Sequence, residues 1–314
     1  MTRARAGWLL ALLGAASCAR RVEPIGAEIA LPARTSHVRF VAAGDTGDST
    51  EDQARVAAAM AATCAARGCD FALLLGDNVY PSGPSSPDDP VLDRVIARPY
   101  AALGVPVLAV LGNHDDGGAG WSPERGDAEL SWTTKPGWWV APSRHYRASI
   151  GDVDVIVIDT DAILFGRDAV QRVDVARWLA SSTARWKLVA GHHPYSSNGK
   201  HGDAGRYDGM PSIVPVASGR RVKRFIEEIV CGKADVYFSA HDHLREWMLE
   251  TCGGTQMIVS GAGARPRPVV SSRPARFASG ALGFFYGDAG DTSLNGDLVG
   301  VSGQTDFSHA IAPR

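Results

Sequence analysis

The sequence predicts an α/β fold built in layers, and three observations lead there. Short Val/Ile/Leu-rich runs recur along the chain, the stretches between them read as helices, and five of the runs end in a short polar motif. Continuous apolar runs of this length suit strands buried on both faces. Strand alternating with helix implies sheets covered by helices. With 314 residues, 45% of them hydrophobic, the chain suits one large domain or two small ones and has material for a sizeable core. The net charge of −2 leaves no basic footprint for nucleic acid, so no such partner is expected. The regular apolar runs exclude a disordered chain.

Residues 1–18 read as a targeting segment. Arg3 and Arg5 supply a positive start, and Trp8 to Ala16 is an apolar stretch too short for a stable bilayer span. Ala15-Ala16-Ser17 precedes Cys18. This resembles a lipoprotein signal in which Cys18 becomes the lipidated first residue, with Ala15 where leucine is usual; an ordinary secretory signal is the alternative. The protein is therefore expected to be exported: periplasmic, membrane-anchored through Cys18, or secreted. Residues 19–36 read as a linker with Pro24, Gly26 and Pro32, and 37–314 as the folded domain.

The predicted strands begin at Val38, Asp70, Val105, Val153, Lys187, Asp235 and Gln256. Between them, Asp52 to Arg67 is an Ala-rich helix after Ser49-Thr50, stopped by Gly68. Pro90 to Leu103, Val170 to Ala180 and Arg220 to Val230 are the other helices, and residues 81–90 form a surface loop. Four cysteines remain besides Cys18. An even number in an exported chain permits disulfides, with three connectivities. Proximity in sequence favours Cys64–Cys69 and Cys231–Cys252; buried free thiols are the alternative.

The motifs are Gly44-Asp45-Thr46-Gly47, Gly76-Asp77-Asn78-Val79-Tyr80, Gly112-Asn113-His114-Asp115, Gly191-His192-His193-Pro194 and Ala240-His241-Asp242-His243. Each lies just past the C-terminal end of a predicted strand, the edge where open α/β sheets bind ligands. A lone Gly-Asp turn is ordinarily a cap or a turn. Five such motifs at one edge gather carboxylates, an amide, a phenol and imidazoles, the donors that two adjacent metal ions need.

These motifs, in this order, resemble those of the calcineurin-like metallophosphoesterase superfamily. Within it they resemble the purple acid phosphatases, especially the small tartrate-resistant type, whose pattern is GDxG, GDxxY, GNHD, GHH or GH, and GHxH. The resemblance covers about residues 38–290, with further echoes at Tyr146-Arg147 and Ser260-Gly261-Ala262-Gly263. It implies a layered α/β/β/α sandwich with a dinuclear metal site at the C-terminal ends of the strands. Asp45, Tyr80 and His243 would hold one ion, and Asn113, His192 and His241 the other. Asp77 would bridge them at roughly 3.5–4 Å. A phenolate suits Fe(III); the second position suits Fe(II), Zn(II) or Mn(II). Two carboxylates and a phenolate against such a pair leave the site positive and attractive to a phosphate dianion.

The implied reaction is hydrolysis of phosphate monoesters by a metal-bound hydroxide, with a small-molecule phosphate ester as substrate. Asn113, His114, His193 and His201 would contact substrate. His114 would touch phosphate or assist the leaving group, with Asp115 orienting its ring. His201, nine residues beyond His192, is the candidate general acid. Phosphodiester hydrolysis on the same metals and a non-catalytic surface binding lipoprotein are the rival readings. The small relatives imply a monomer.

Other features read more plainly. Trp121, Trp132, Trp138 and Trp139 suit packing of a long loop more than an aromatic substrate wall. Asp159-Thr160-Asp161 reads as a turn, and His145 and His309 as structural or surface residues. The segment around Arg265, Arg267, Arg273 and Arg276 is a basic loop that could steer anions. Ala240 stands where the family pattern has glycine, which costs little unless that residue needs positive φ.

Overall fold

The computed structural model describes residues 23–118, 121–132 and 137–314. The targeting segment and Cys18 lie outside the described residues. No helix among the described residues is long and apolar enough to cross a membrane.

The described strands form two sheets packed face to face. The seven-stranded sheet runs Thr305–Ile311, Leu294–Gly300, Gly283–Ala289, Val38–Ala43, Phe71–Leu75, Val107–Val110, Trp139–Val140. The eight-stranded sheet runs Ala27–Leu31, Tyr146–Ile150, Val153–Val157, Trp186–Ala190, Val236–Ser239, Gln256–Ser260, Arg245–Met248, Ala275–Ser279. Val38–Ala43, Phe71–Leu75 and Val107–Val110 pair in parallel, as do Val153–Val157, Trp186–Ala190, Val236–Ser239 and Gln256–Ser260. These are the strands read from continuous apolar runs. Phe71–Leu75, Val107–Val110 and Val153–Val157 are buried at every position, as parallel strands covered on both faces must be.

Phe40, Leu73, Leu108, Val155, Leu188, Phe238, Trp247 and Phe285 fill the space between the sheets. On the outer face of the seven-stranded sheet, Val56 and Met60 of the helix Glu51–Arg67 join Val41, Leu74 and Ile96. On the other outer face, Val175 and Trp178 of Ala169–Ser181 join Ile156, Val189, Phe225 and Ile226. The order of layers is α/β/β/α, as the motif resemblance implied. The helix Glu51–Arg67 starts where Thr50 Oγ1 accepts from Gln53 N at 3.2 Å, a local cap worth about 1 kcal/mol. It stops at Gly68, whose φ of +84° suits glycine.

Two readings need correction. Residues 19–36 are not wholly linker: Ala27–Leu31 pairs in parallel with Tyr146–Ile150 as an edge strand. Its partly exposed alternation lacks the continuous apolar run of a central strand. The Asp159–Asp161 segment is not a mere turn. Asp159 Oδ1 accepts from Ala162 N at 2.8 Å and starts the short helix Thr160–Leu164. Both expected disulfides are present, Cys64–Cys69 and Cys231–Cys252.

Candidate metal centre

The five motifs meet at the seam between the sheets. Asp45, Asp77 and Asn113 follow strands of the seven-stranded sheet; His192 and His241 follow strands of the other. The seam is closed by Gly44 N donating to Ser260 O at 2.7 Å and by His192 Nδ1 at 2.9 Å from Leu75 O. A side chain on Gly44 would sit 2.3 Å from the Ala240 Cβ, so glycine here permits the close approach of the sheets. Ala240 is fully buried and is absent from the residues with positive φ, so alanine fits.

Asp45, Asp77 and His241 have φ of 55°, 54° and 67°. Such left-handed backbone in a non-glycine residue is uncommon and costs of order 1–3 kcal/mol each. Three strained residues in one cluster mark a place where side-chain direction was fixed at the expense of backbone comfort.

The geometry gathers two donor groups around Asp77. On one side Tyr80 Oη donates to Asp77 Oδ2 at 2.9 Å and lies 3.1 Å from Asp45 Oδ1. His243 Nε2 lies 3.5 Å from the same Asp45 oxygen. On the other side His192 Nε2 is 3.4 Å from Asp77 Oδ1, 3.2 Å from Asn113 Oδ1 and 3.2 Å from His241 Nδ1. Asp45, Asp77 and His192 offer ligand atoms all within 4.8 Å of one another. One Asp77 oxygen faces each of these two sides.

The chemistry of this donor set fits a pair of cations. His192 and His243 place Nδ1 against the carbonyls of Leu75 and Arg265 at 2.9 and 2.8 Å. Carbonyls only accept, so each Nδ1 carries a proton and each Nε2 is the nitrogen that faces the centre. Asp45 Oδ2 is buried with no hydrogen-bond partner among the described residues. A buried charge without a partner is costly. Burial raises the Asp45 carboxyl well above its usual range, with the Asp77 charge adding to it. Burial alone would depress His192, but the charges of Asp77, Asp45 and Asp161 lift it to about 10. A site that attracts a proton this strongly attracts other cations. His241 is pushed well below its usual value by burial and by neighbouring histidines, and His243 falls to about 4, chiefly through burial, so both rings are neutral near pH 7.

Around the rim, His114 places Nδ1 against Pro81 O and its backbone N donates to Asp77 Oδ1 at 2.8 Å. Its ring packs 4.4 Å from that of Tyr80. His201 is held by Asp208 at 3.0 Å, with its ring 4.3 Å from that of His241.

Asp115 does not orient His114. It is fully buried and accepts from Gly112 N at 2.7 Å and Val79 N at 2.9 Å. It ties the second motif to the third, beside Asn78 and Glu129. Sequence adjacency pointed to His114, but the turn sends the carboxylate inward. His193 is likewise not on the substrate side. It is 3% exposed, its Nδ1 lies 2.8 Å from Thr160 Oγ1, and its ring packs behind His241 at 4.4 Å.

Two participants had no place in the donor set read from sequence. Asp242 accepts from the backbone of His201 at 2.8 Å and Gly202 at 3.1 Å, anchoring the loop that carries His201. The Arg265 guanidinium lies 4.2 Å above the Tyr80 ring, and its Nε donates to Asp48 at 2.6 Å. Asp242 stood inside a motif and Arg265 in the basic loop, but their partners are at least 40 residues away in sequence.

A two-sheet sandwich with this donor cluster at its seam defines a metallophosphoesterase fold and site. The chain belongs to the calcineurin-like phosphoesterase family, whose model matches residues 38–245. It is 27% identical to tartrate-resistant acid phosphatase type 5 of Rattus norvegicus, an alignment covering 93% of this chain and 94% of that one. It is 27% identical to purple acid phosphatase 3 of Arabidopsis thaliana over 73% of this chain, and spans 63% of that relative's length. Among solved structures, GAP50, the anchor in the inner membrane complex of Plasmodium, has a TM-score of 0.70 at 18% identity, covering 88% of this chain and 89% of that one. A dimetal phosphatase of Danio rerio has a TM-score of 0.51 at 13% identity, covering 88% and 99%. These two share the fold.

Proposed function

We propose that this protein hydrolyses phosphate monoesters at a dinuclear Fe(III)–M(II) centre, M being Fe(II), Zn(II) or Mn(II). The observation that carries the reading is the pair of donor groups on either side of Asp77, with the unpartnered Asp45 Oδ2 between the sheets. Asp45, Tyr80 and His243 would hold the trivalent ion, Asn113, His192 and His241 the divalent one, and Asp77 both. The ions supply Lewis acidity and lower the pKa of an attacking water.

The chain's own groups do the rest. Asn113 turns Oδ1 to His192, which leaves its amide N–H groups to donate to a phosphoryl oxygen. His114, fixed through Nδ1, presents Nε2 from the opposite rim. His201, fixed through Nδ1 by Asp208, gives its Nε2 proton to the departing alkoxide. Burial and the charges of Asp45 and Asp77 hold the Tyr80 phenol well above its usual range, so a phenolate there would need the charge of a bound cation, with Arg265 above the ring adding to it.

The two disulfides support an oxidising compartment, and hence export. The deciding experiment is metal analysis with a visible spectrum on the purified protein, followed by turnover of p-nitrophenyl phosphate and bis-p-nitrophenyl phosphate. Two metals including iron, a purple band and faster monoester turnover are expected. Faster diester turnover would move the assignment to a phosphodiesterase. Metal-loaded protein inactive on both esters would sink the catalytic reading. Asp77→Ala should lose both metals by the same analysis.

A further inference from the structure

A cavity of about 510 Å³ lies behind the loop that carries His201, against the helical run 220–230. It is within the range of small-molecule sites, and none of the candidate metal ligands lines it. Four basic side chains face two acidic ones there. Arg273 is paired with Asp203, and Lys223 lies 3.9 Å from Glu227. Arg206 and Arg220 make no ion pair with any described residue.

A second observation is independent of charge. Ser196 lines the same cavity, is 8% exposed, and its hydroxyl has no hydrogen-bond partner among the described residues. A buried hydroxyl left unpaired is costly, and a bound acceptor removes that cost. Third, Ser212 of the cavity wall belongs to the segment 210–216, which exposes Met210, Ile213, Val214 and Val216, with Ile213 81% exposed. A cationic pocket with an unpaired donor and an apolar border has amphiphilic character.

We propose that this cavity binds an amphiphilic organic anion. Arg206, Arg220 and the Ser196 hydroxyl hold its oxyanion head, and the 210–216 segment meets its apolar part. Guanidinium groups suit such heads because they donate in a planar fork. The site is separate from the metal centre, and its occupancy does not depend on hydrolysis.

The test is calorimetric titration of the full chain with n-octylphosphonate, which is not hydrolysed, and with octanoate. Wild type is compared with Arg206→Ala/Arg220→Ala. Binding at the metal centre is common to both proteins, so the difference reports the cavity. The double variant should bind at least about tenfold more weakly, since two charge-assisted hydrogen bonds are lost. Preference for the phosphonate or for octanoate assigns the head as phosphate or carboxylate. Ile213→Ser should weaken octylphosphonate but not methylphosphonate. Equal affinity in wild type and double variant, or equal binding of neutral octyl glucoside, overturns the proposal. Should the double variant fail to fold, Ser196→Ala provides the same comparison, with several-fold weaker binding expected. Unchanged p-nitrophenyl phosphate turnover in the variants separates this site from the catalytic one.

Discussion

Replacing Glu129 by glutamine should flatten the pH dependence of stability. Glu129 is fully buried in the helix Pro123–Ser131, with Oε1 accepting from Asn78 Nδ2 at 3.0 Å and Asp115 beside it. Burial lifts its carboxyl from 4.5 to about 8, against the hydrogen bonds of Asn78 and Asp115 that favour ionisation. Burial also raises Asp115, and the Glu129 charge adds to it. The folded state therefore keeps a proton that the unfolded chain releases above its own pKa. The sign follows: this contribution is fully present below 4.5 and is lost as pH rises towards 8. Each pH unit inside the window removes about 1.4 kcal/mol for one proton, so moving from about pH 5.5 to about pH 7.5 removes about 3 kcal/mol. For a domain of this size that is roughly 6–10 °C in Tm. In Glu129→Gln the proton is replaced by a neutral amide and this loss disappears. The assay is thermal unfolding of both chelated proteins across the window, plotted as the difference, so other titrating groups cancel. Parallel Tm curves for wild type and variant would refute the reasoning.

Four further outcomes are expected. Tyr80→Phe should fold and lose the visible band of the metal-loaded protein; a retained band would remove Tyr80 from the ligand set. His201→Ala should lower kcat by about 10²–10⁴-fold for esters with poor leaving groups and much less for p-nitrophenyl phosphate, whose leaving group needs little protonation; equal losses on both would argue against a general acid. Cys231→Ala/Cys252→Ala opens a cross-link spanning 21 residues and should cost about 3 kcal/mol in denaturant unfolding, against no change if the link is dispensable. Gly44→Ala drives a Cβ to within 2.3 Å of Ala240 and 2.9 Å of Leu75; its soluble yield should fall sharply, and adding Ala240→Gly should restore part of it.

The parallel strands inside the two sheets were legible because burial on both faces leaves a continuous apolar run, as in Phe71–Leu75 and Val153–Val157, whereas the interior antiparallel strands Gly283–Ala289 and Arg245–Met248 were missed although buried. The edges were missed too. Thr305–Ile311 and Ala275–Ser279 show one face to solvent and carry only a weak alternation. The donor set was legible for a different reason: each member sits in a polar motif that interrupts an apolar run. What escaped was direction. Asp115 stands two residues after the candidate ligand Asn113 and His193 next to His192, yet tight turns send their side chains inward. The anchors Asp242 and Arg265 were invisible because their partners are distant along the chain.

The left-handed backbone at Asp45, Asp77 and His241 narrows the alphabet of ligands this scaffold accepts. Apart from glycine, that conformation is populated chiefly by Asn, Asp and His, and is hostile to bulky or β-branched residues. Asp to Asn exchanges at 45 and 77 therefore change charge without changing the turn. Glutamate would meet a less favourable backbone as well as a longer reach. Retuning the proposed centre for a different ion would thus be easiest at Tyr80, Asn113, His192 and His243, which are absent from the positive-φ residues, and hardest at the three posts where the main chain has already chosen.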